Sequence, residues 1–300
     1  MNVKHLQYMI EIERVGSISQ AAKNLYVGQP NLSRILKEVE DTVGFAIFDR
    51  THQGIRPTER GMTFLQHAHN ILREMDAIET MGSGQAEGNR LRVCIPHSTA
   101  AFETISQYLI AMIENKRINA VIRECHPRKT LDLVAGGQAE LGVIRFREEY
   151  RQYFSELAAA ANLRFHYLRS YEDVVLLDKN HPLAKKDILC RADFADCPLI
   201  VHSDRYFLPE QKTEKGSSKV YTVDRHAQLT LLRSLRGSYI WSAPISKAMQ
   251  EEWGVVQKRC EKNTNRYSEA LVYNPSYMMS ELEKNLMESL KTDYANKIWD

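Results

Sequence analysis

Along the first eighty residues the apolar positions recur with helical spacing. Val3, Leu6 and Ile10 form one stripe, Ile18, Ala21, Ala22 and Leu25 a second, and Leu32, Ile35, Leu36 and Val39 a third. Gly16-Ser17 separates the first two as a helix stop followed by an N-cap residue. Val27-Gly28-Gln29 separates the second from the third, with Pro30 placed where a helix starts and a missing N–H removes no intrahelical bond. Two short helices joined by a tight turn have the layout of a helix-turn-helix. After Gly44 the period shortens. Phe45-Ala46-Ile47-Phe48 reads as a strand, 49–54 as a turn and Ile55-Arg56-Pro57 as a second strand, together forming a wing. Thr58 then caps a long helix in which Phe64, Ala68, Ile71, Met75 and Ile78 step by four and three. That a/d seam lasts about two heptads and calls for a second copy of the chain against it.

Residues 81–89 are small and polar and predict a hinge. Their glycines have the wrong spacing for a dinucleotide fingerprint and precede a strand instead of following one. Beyond them strands (91–95, 119–124, 140–144) alternate with helices (99–114, 127–135), which predicts a mainly parallel sheet. A second unit follows, with strands at 171–178, 197–202, 219–223 and 239–241 and a helix at 226–236. The chain returns through a strand at 270–273 and a helix at 278–290. Ligands in such sheets sit beyond the carboxyl ends of the strands. That rule places Pro96-His97-Ser98-Thr99, Cys125-His126 and Arg145 at one rim.

Composition narrows the function classes. With 43% hydrophobic and 26% charged residues in 300, the chain has globular composition and room for two domains. It has no apolar run of eighteen residues, and the apolar stretch at its start carries acids and no cleavage site, so neither a membrane span nor a signal peptide is expected and the expected location is cytoplasmic. The five cysteines show no CxxC and no zinc spacing, so thiols are expected and no metal or cofactor. Cys125-His126 lacks further ligands at metal spacing. There is no GxSxG, HExxH or SxxK, and His67 and His69 stand two apart on a helix, so no catalytic residues are expected. Forty bases against 38 acids give +2, and residues 1–61 carry eight bases and seven acids. DNA binding at that balance requires placed charge and avidity in place of a bulk positive field.

The residues Gly16-Ser17, Ala21-Ala22, Leu25, Gln29-Pro30, Ser33-Arg34, Glu40, Gly44, Phe48, Arg50, Thr58 and Gly61 stand at the spacings of LysR-type transcriptional regulators, and the likeness runs without a gap from 6 to 78. The C-terminal part resembles the family's effector domain more loosely, through His181-Pro182-Leu183-Ala184 and Cys197-Pro198-Leu199-Ile200. It departs at Tyr239, where the family usually has a glycine. The resemblance implies an N-terminal all-α winged helix-turn-helix (1–58), a linker and dimerisation helix (59–81), a hinge (82–89) and an α/β effector domain (90–300). That domain is built of two Rossmann-like halves, about 90–168 with 267–300 and about 169–266, and is similar to periplasmic binding proteins.

Chemistry then assigns roles. Gln29, Asn31 and Ser33 suit base edges, while Arg34 and Lys37, with Arg50 and Arg56 on the wing, suit phosphates. The family places DNA at Gln29, Pro30, Ser33 and Arg34, and near Arg50 and Thr58. Plainer readings stand beside these: Ser33 on a solvated face, Arg50 paired with Glu40 or Asp41, and Pro30 a helix starter. The resemblance also implies a small-molecule effector between the halves, touching Ser98, Thr99, Arg145, His202 and Ser203. A helix N-terminus at Ser98 and Thr99 favours an anion. The alternatives are an N-cap at Ser98 or Thr99, an ion pair of Arg145 with Glu148, and a structural His202. The expected whole is a DNA-binding, effector-controlled homo-oligomer, a dimer or dimer of dimers, with no membrane partner. A ligand-capture module, or an α/β enzyme acting on a small anionic metabolite, is the alternative.

Overall fold

The computed structural model describes residues 1–51, 54–81, 90–97, 99–114, 117–202 and 218–294. The N-terminal domain runs α1 (Val3–Val15), α2 (Ile18–Asn24), α3 (Gln29–Val43), β1 (Phe48–Thr51), β2 (Gly54–Pro57) and α4 (Glu59–Met81). Asn2 caps α1 by accepting from the His5 N–H, and Ser17 caps α2 by accepting from the Gln20 N–H. Gly16 closes α1 in the left-handed region at φ 64°, and its carbonyl accepts from the Ile55 N–H at 3.0 Å, which fastens the wing to the end of α1. The core joins Met9 and Ile12 of α1, Ala21 and Ala22 of α2, Leu32, Ile35, Leu36 and Val39 of α3, and Ile47, Ile55 and Leu65. Two of the three expected stripes are thus the buried faces. On α1 the buried positions are Leu6, Met9 and Ile12, with Val3 and Ile10 half-buried. That helix packs against α2, α3 and α4 together, so its apolar face is broader than a single stripe.

The wing differs from expectation in register. Residues 49–51, expected in the turn, belong to β1, which pairs antiparallel with β2 from Phe48↔Pro57 to Thr51↔Gly54. A two-stranded ribbon packs only one face, so its outward positions are polar and read as turn. Glu40 fixes the entry to the wing by accepting from the N–H of Ile47 (2.7 Å) and Phe48 (3.2 Å). At Gly61 a Cβ would lie 1.9 Å from the Ile47 carbonyl oxygen, so only glycine lets α4 start against the wing. The seam on α4 divides: Ala68 is buried and Phe64 half-buried, with Leu65 beside it taking the core position, whereas Ile71 (44% exposed) and Ile78 (63%) face outward. The expected hinge at 82–89 lies outside the described residues.

The C-terminal part is two α/β units. The first holds β3 (Arg90–Ile95), α5 (Thr99–Ile113), β4 (Asn119–Glu124), α6 (Pro127–Ala135), β5 (Leu141–Arg147), α7 (Arg151–Ala160) and β6 (Arg164–Glu172). The second holds β7 (Val174–Asp178), β8 (Ile188–Leu189), β9 (Leu199–His202), β10 (Lys219–Thr222), α8 (Arg225–Ser234), β11 (Ile240–Ser242), α9 (Lys247–Trp253) and β12 (Val255–Cys260). The chain then returns to the first through β13 (Arg266–Tyr273) and α10 (Glu281–Ser289). The first sheet has the order β4-β3-β5-β13-β6, with β4, β3 and β5 parallel and β13 antiparallel to both neighbours. The second has the order β11-β7-β12-β8, beside the parallel pair β10-β9.

The segment expected as one strand at 171–178 is two, β6 and β7, in different sheets. They break at Asp173, whose N–H donates to the Asn265 carbonyl on the returning chain (2.9 Å). Tyr239, where the family usually has a glycine, is fully buried. Its ring packs on Phe194 at 4.7 Å and near Trp241 at 6.5 Å, while its backbone bonds Pro198 and Ile200. An aromatic cluster beneath β9 thus accommodates the added bulk.

Candidate nucleic-acid interface and effector cleft

Burial of Leu32, Ile35, Leu36 and Val39 turns the opposite face of α3 outward. Gln29, Pro30, Asn31, Arg34 and Lys37 are exposed there, and Ser33 is half-buried at the edge of that face. Asn31 Oδ1 accepts from Arg34 Nη2 at 3.1 Å, which holds the guanidinium over the first turn. That turn carries no acid, and its free N–H groups favour an anion. Glu38 and Asp41 stand further along, so the positive charge of α3 is gathered toward its N-terminal half. Arg50 on β1 and Arg56 on β2 are exposed on the wing, with Arg50 opposite Ile55 and Arg56 opposite Asp49. The Glu40 carboxylate, weighed as a partner for Arg50, bonds backbone N–H groups instead. The Thr58 hydroxyl accepts from the Gly61 N–H (2.8 Å) and donates to the Ala46 carbonyl (2.8 Å), so it anchors the start of α4.

Tyr26 lies outside the residues that the sequence predicts for this face. It sits in the turn between α2 and α3 with φ 54° and its side chain 96% exposed, beside the N-terminus of α3. The available signal was a large aromatic standing off every apolar stripe.

Gly28 occupies the N-cap of α3 without a side chain to cap it. Its φ of −67° suits any residue, and an added Cβ would meet only Pro30 Cδ at 3.9 Å. Gly28→Ser is expected to stabilise the chain by roughly a few tenths of a kcal/mol. Urea unfolding checks this: the midpoint should rise at unchanged slope, and a falling midpoint would remove the capping argument.

Between the two α/β units the walls of the cleft touch. His97, just after β3, stacks on His202 at the end of β9 with ring centroids 3.9 Å apart and planes at 27°. Behind it Glu124 Oε2, at the end of β4, lies 3.0 Å from His97 Nδ1. A second contact joins Ser246, the N-cap of α9, to Glu103 of α5: the hydroxyl donates to Glu103 Oε1 at 2.8 Å. Thr99 is the first residue of α5, at the same rim. Ser98 and Ser203 lie outside the described residues.

Arg145 is placed otherwise than expected. It is turned into the protein, ion-paired with Asp173, with Nε donating to Tyr171 Oη at 2.7 Å and its guanidinium 3.9 Å from the Tyr267 ring centroid. The side chains of Arg145 and Asp173 are 11% and 0% exposed. Burial opposes the charge on Arg145, yet Asp173 outweighs it and holds the guanidinium well above its ordinary pKa. The alternative partner, Glu148, pairs with Arg151 and accepts from Ser268. The network continues inward. Tyr171 Oη donates to Glu269 Oε1 (2.9 Å), Arg169 Nε to Glu269 Oε2 (2.9 Å) and Tyr294 Oη to the same oxygen (2.5 Å). Burial pushes the phenols of Tyr171 and Tyr294 well above their usual range. This chain of groups ties β5, β6, β13 and the C-terminal turn together where the chain crosses between the units.

All five cysteines are free thiols. Burial, with Cys125 beside it, pushes the Cys94 thiol up to about 12. Since the thiolate is the reactive form, Cys94 is expected to escape iodoacetamide in the folded chain at pH 8 and to react once urea unfolds it. Peptide mass analysis checks this, and modification of native Cys94 would contradict it. Among the described residues no group of three metal-ligating side chains occurs, and no helix is long and apolar enough to cross a membrane.

Residues 3–62 match the bacterial regulatory helix-turn-helix protein, lysR family, and residues 84–237 match the LysR substrate binding domain. The chain belongs to the LysR-type transcriptional regulators, proteins that join a DNA-binding helix-turn-helix to an effector-binding domain. It is similar to the DNA-binding transcriptional dual regulator OxyR of Escherichia coli (strain K12), at 25% identity over 97% of this chain and 95% of that protein. Among solved structures its fold is like that of full-length LysG from Corynebacterium glutamicum with bound effector Arg (TM-score 0.61, 15% identity, 98% of each chain). It is also like that of ArgP from Mycobacterium tuberculosis (TM-score 0.62, 13% identity, 98% of this chain and 97% of that one).

Proposed function

We propose that this regulator reads its operator with the N-terminal half of α3 and holds the flanking phosphates with the wing. Gln29, Asn31 and Ser33 face base edges, Arg34 and Lys37 take phosphates beside them, and Pro30 sets the angle of the helix. Arg50 and Arg56 reach the backbone from the wing, and Thr58 holds the wing in position. The observation that carries this reading is the exposed polar face of α3 set directly opposite its buried face. Ile71 and Ile78 of α4 pair two copies, and a dimer of dimers spans a near-palindromic site.

A small molecule enters the cleft between the α/β units against His202 and the first turn of α5 at Thr99. It changes how the subunits are arranged and hence which half-sites they hold. The chain works as a regulator without turnover, in the cytoplasm where operator DNA lies. Selection of bound duplexes from a random-sequence pool by the full chain tests the reading. Enrichment of a paired, near-symmetric motif is expected, and equal retention of all sequences would overturn it.

A further inference from the structure

The turn between α2 and α3 closes α2 in a way that ordinarily calls for glycine. The N–H of Val27 donates to the Ala22 carbonyl (2.9 Å) and the N–H of Tyr26 to the Lys23 carbonyl (3.2 Å), the paired bonds of a Schellman ending. The residue one past the cap then takes left-handed backbone, and here it is Tyr26 at φ 54°. Glycine supplies the left-handed residue after α1, α3 and α9. A bulky side chain is strained in that region. Folding gains nothing in return, because Tyr26 is 96% exposed and adds no packing to the core. We propose that Tyr26 is a DNA contact whose ring lies along a sugar at the edge of the groove and whose hydroxyl donates to the adjoining phosphate. The proposal rests on the reading above that the N-terminal half of α3 enters the operator.

Tyr26 stands two residues before the N-cap of α3. A helix that puts its first turn into the major groove brings the preceding turn to the groove's edge. The surroundings suit a polyanion. From 15 to 37 the chain carries Lys23, Arg34 and Lys37 and no acid. Glu11 of α1, whose carboxylate reaches α2 at Asn24 (2.6 Å), is held by Arg14 (2.7 Å). With eight bases and seven acids in residues 1–61, the domain gains from donors that hold a phosphate without charge, and a tyrosine hydroxyl is one of these. Such a donor displaces no counterion. Its loss therefore lowers affinity and leaves the salt dependence as it was, which separates it from the cations of α3.

Two variants of the full chain divide the roles. Tyr26→Phe removes the hydroxyl alone, and Tyr26→Gly removes the side chain while supplying the residue that the turn prefers. Anisotropy titrations at several salt concentrations, on a duplex selected by the parent, are read beside thermal unfolding. Binding is expected to weaken roughly fivefold for Tyr26→Phe and roughly tenfold for Tyr26→Gly. The salt slope should match the parent's in both, and the glycine variant should melt at or above the parent. Parent-like affinity in both variants would overturn the contact, while the selected motif would keep the reading of α3. A loss confined to Tyr26→Gly would overturn the bond from hydroxyl to phosphate. A glycine variant that melts below the parent would assign the tyrosine to folding and overturn its role on DNA. If the parent selects no motif at all, the reading of α3 falls and the proposal with it.

Discussion

Asp173→Ala is expected to lower the stability of the chain by roughly 3–5 kcal/mol, because it leaves the Arg145 guanidinium buried without its counter-charge. For the α/β part each kcal/mol is worth about 2–4 °C, so its melting temperature should fall by roughly 6–20 °C in calorimetry of the full chain. Two companions separate charge from packing. Asp173→Asn keeps the volume and loses the charge, so it should fall between parent and alanine. The double change Arg145→Met/Asp173→Leu removes both charges and should recover most of the loss, since a buried pair is often replaceable by packed apolar groups. A drop below about 1 kcal/mol for Asp173→Ala would mean that the pair does not hold the crossover together.

The second large effect belongs to DNA. Arg34→Ala should weaken binding to every duplex by roughly tenfold and reduce the slope of log K against log salt by about 0.9 for each phosphate the chain no longer neutralises. Lys37→Ala should do the same to a similar degree. Asn31→Ala acts on Arg34 through the 3.1 Å hydrogen bond and, as a base-edge residue, should also alter preference among sequences. Anisotropy titrations at several salt concentrations, on a selected site and on a scrambled one, read all three. An unchanged salt slope for Arg34→Ala would take that residue off the phosphates.

The parts of this structure that follow local rules were legible in the sequence. The α2–turn–α3 unit announces itself through stripes four apart, an N-cap serine and a proline at the start of a helix, each a property of a few adjacent residues. The strands β3 and β4 and the helix α5 between them were equally visible. What was hidden depends on partners far along the chain. Nothing near Arg145 says that Asp173, 28 residues on, takes its charge. The break between β6 and β7 falls at a single aspartate inside a run of strand-forming residues, and only the returning chain at Asn265 reveals it. The elements α7, α9 and β12 went unread because their apolar positions answer to a sheet built from other segments. The rim residues Thr99 and His202 were expected from the resemblance. The contacts of His97 with His202 and of Ser246 with Glu103 form only when both units are assembled.

The bond from Ile55 to the Gly16 carbonyl has a mechanical consequence. It joins the wing to the end of α1, while Glu40 ties the other edge of the wing to α3, so recognition helix and wing form one stiff reading head. A stiff head cannot flex to follow an operator whose half-sites are badly spaced. When the subunits shift, the mismatch passes into the double helix, which must bend or twist at an elastic cost on the order of 1–6 kcal/mol. The flexibility of base pairs that no side chain touches then becomes part of what this regulator measures.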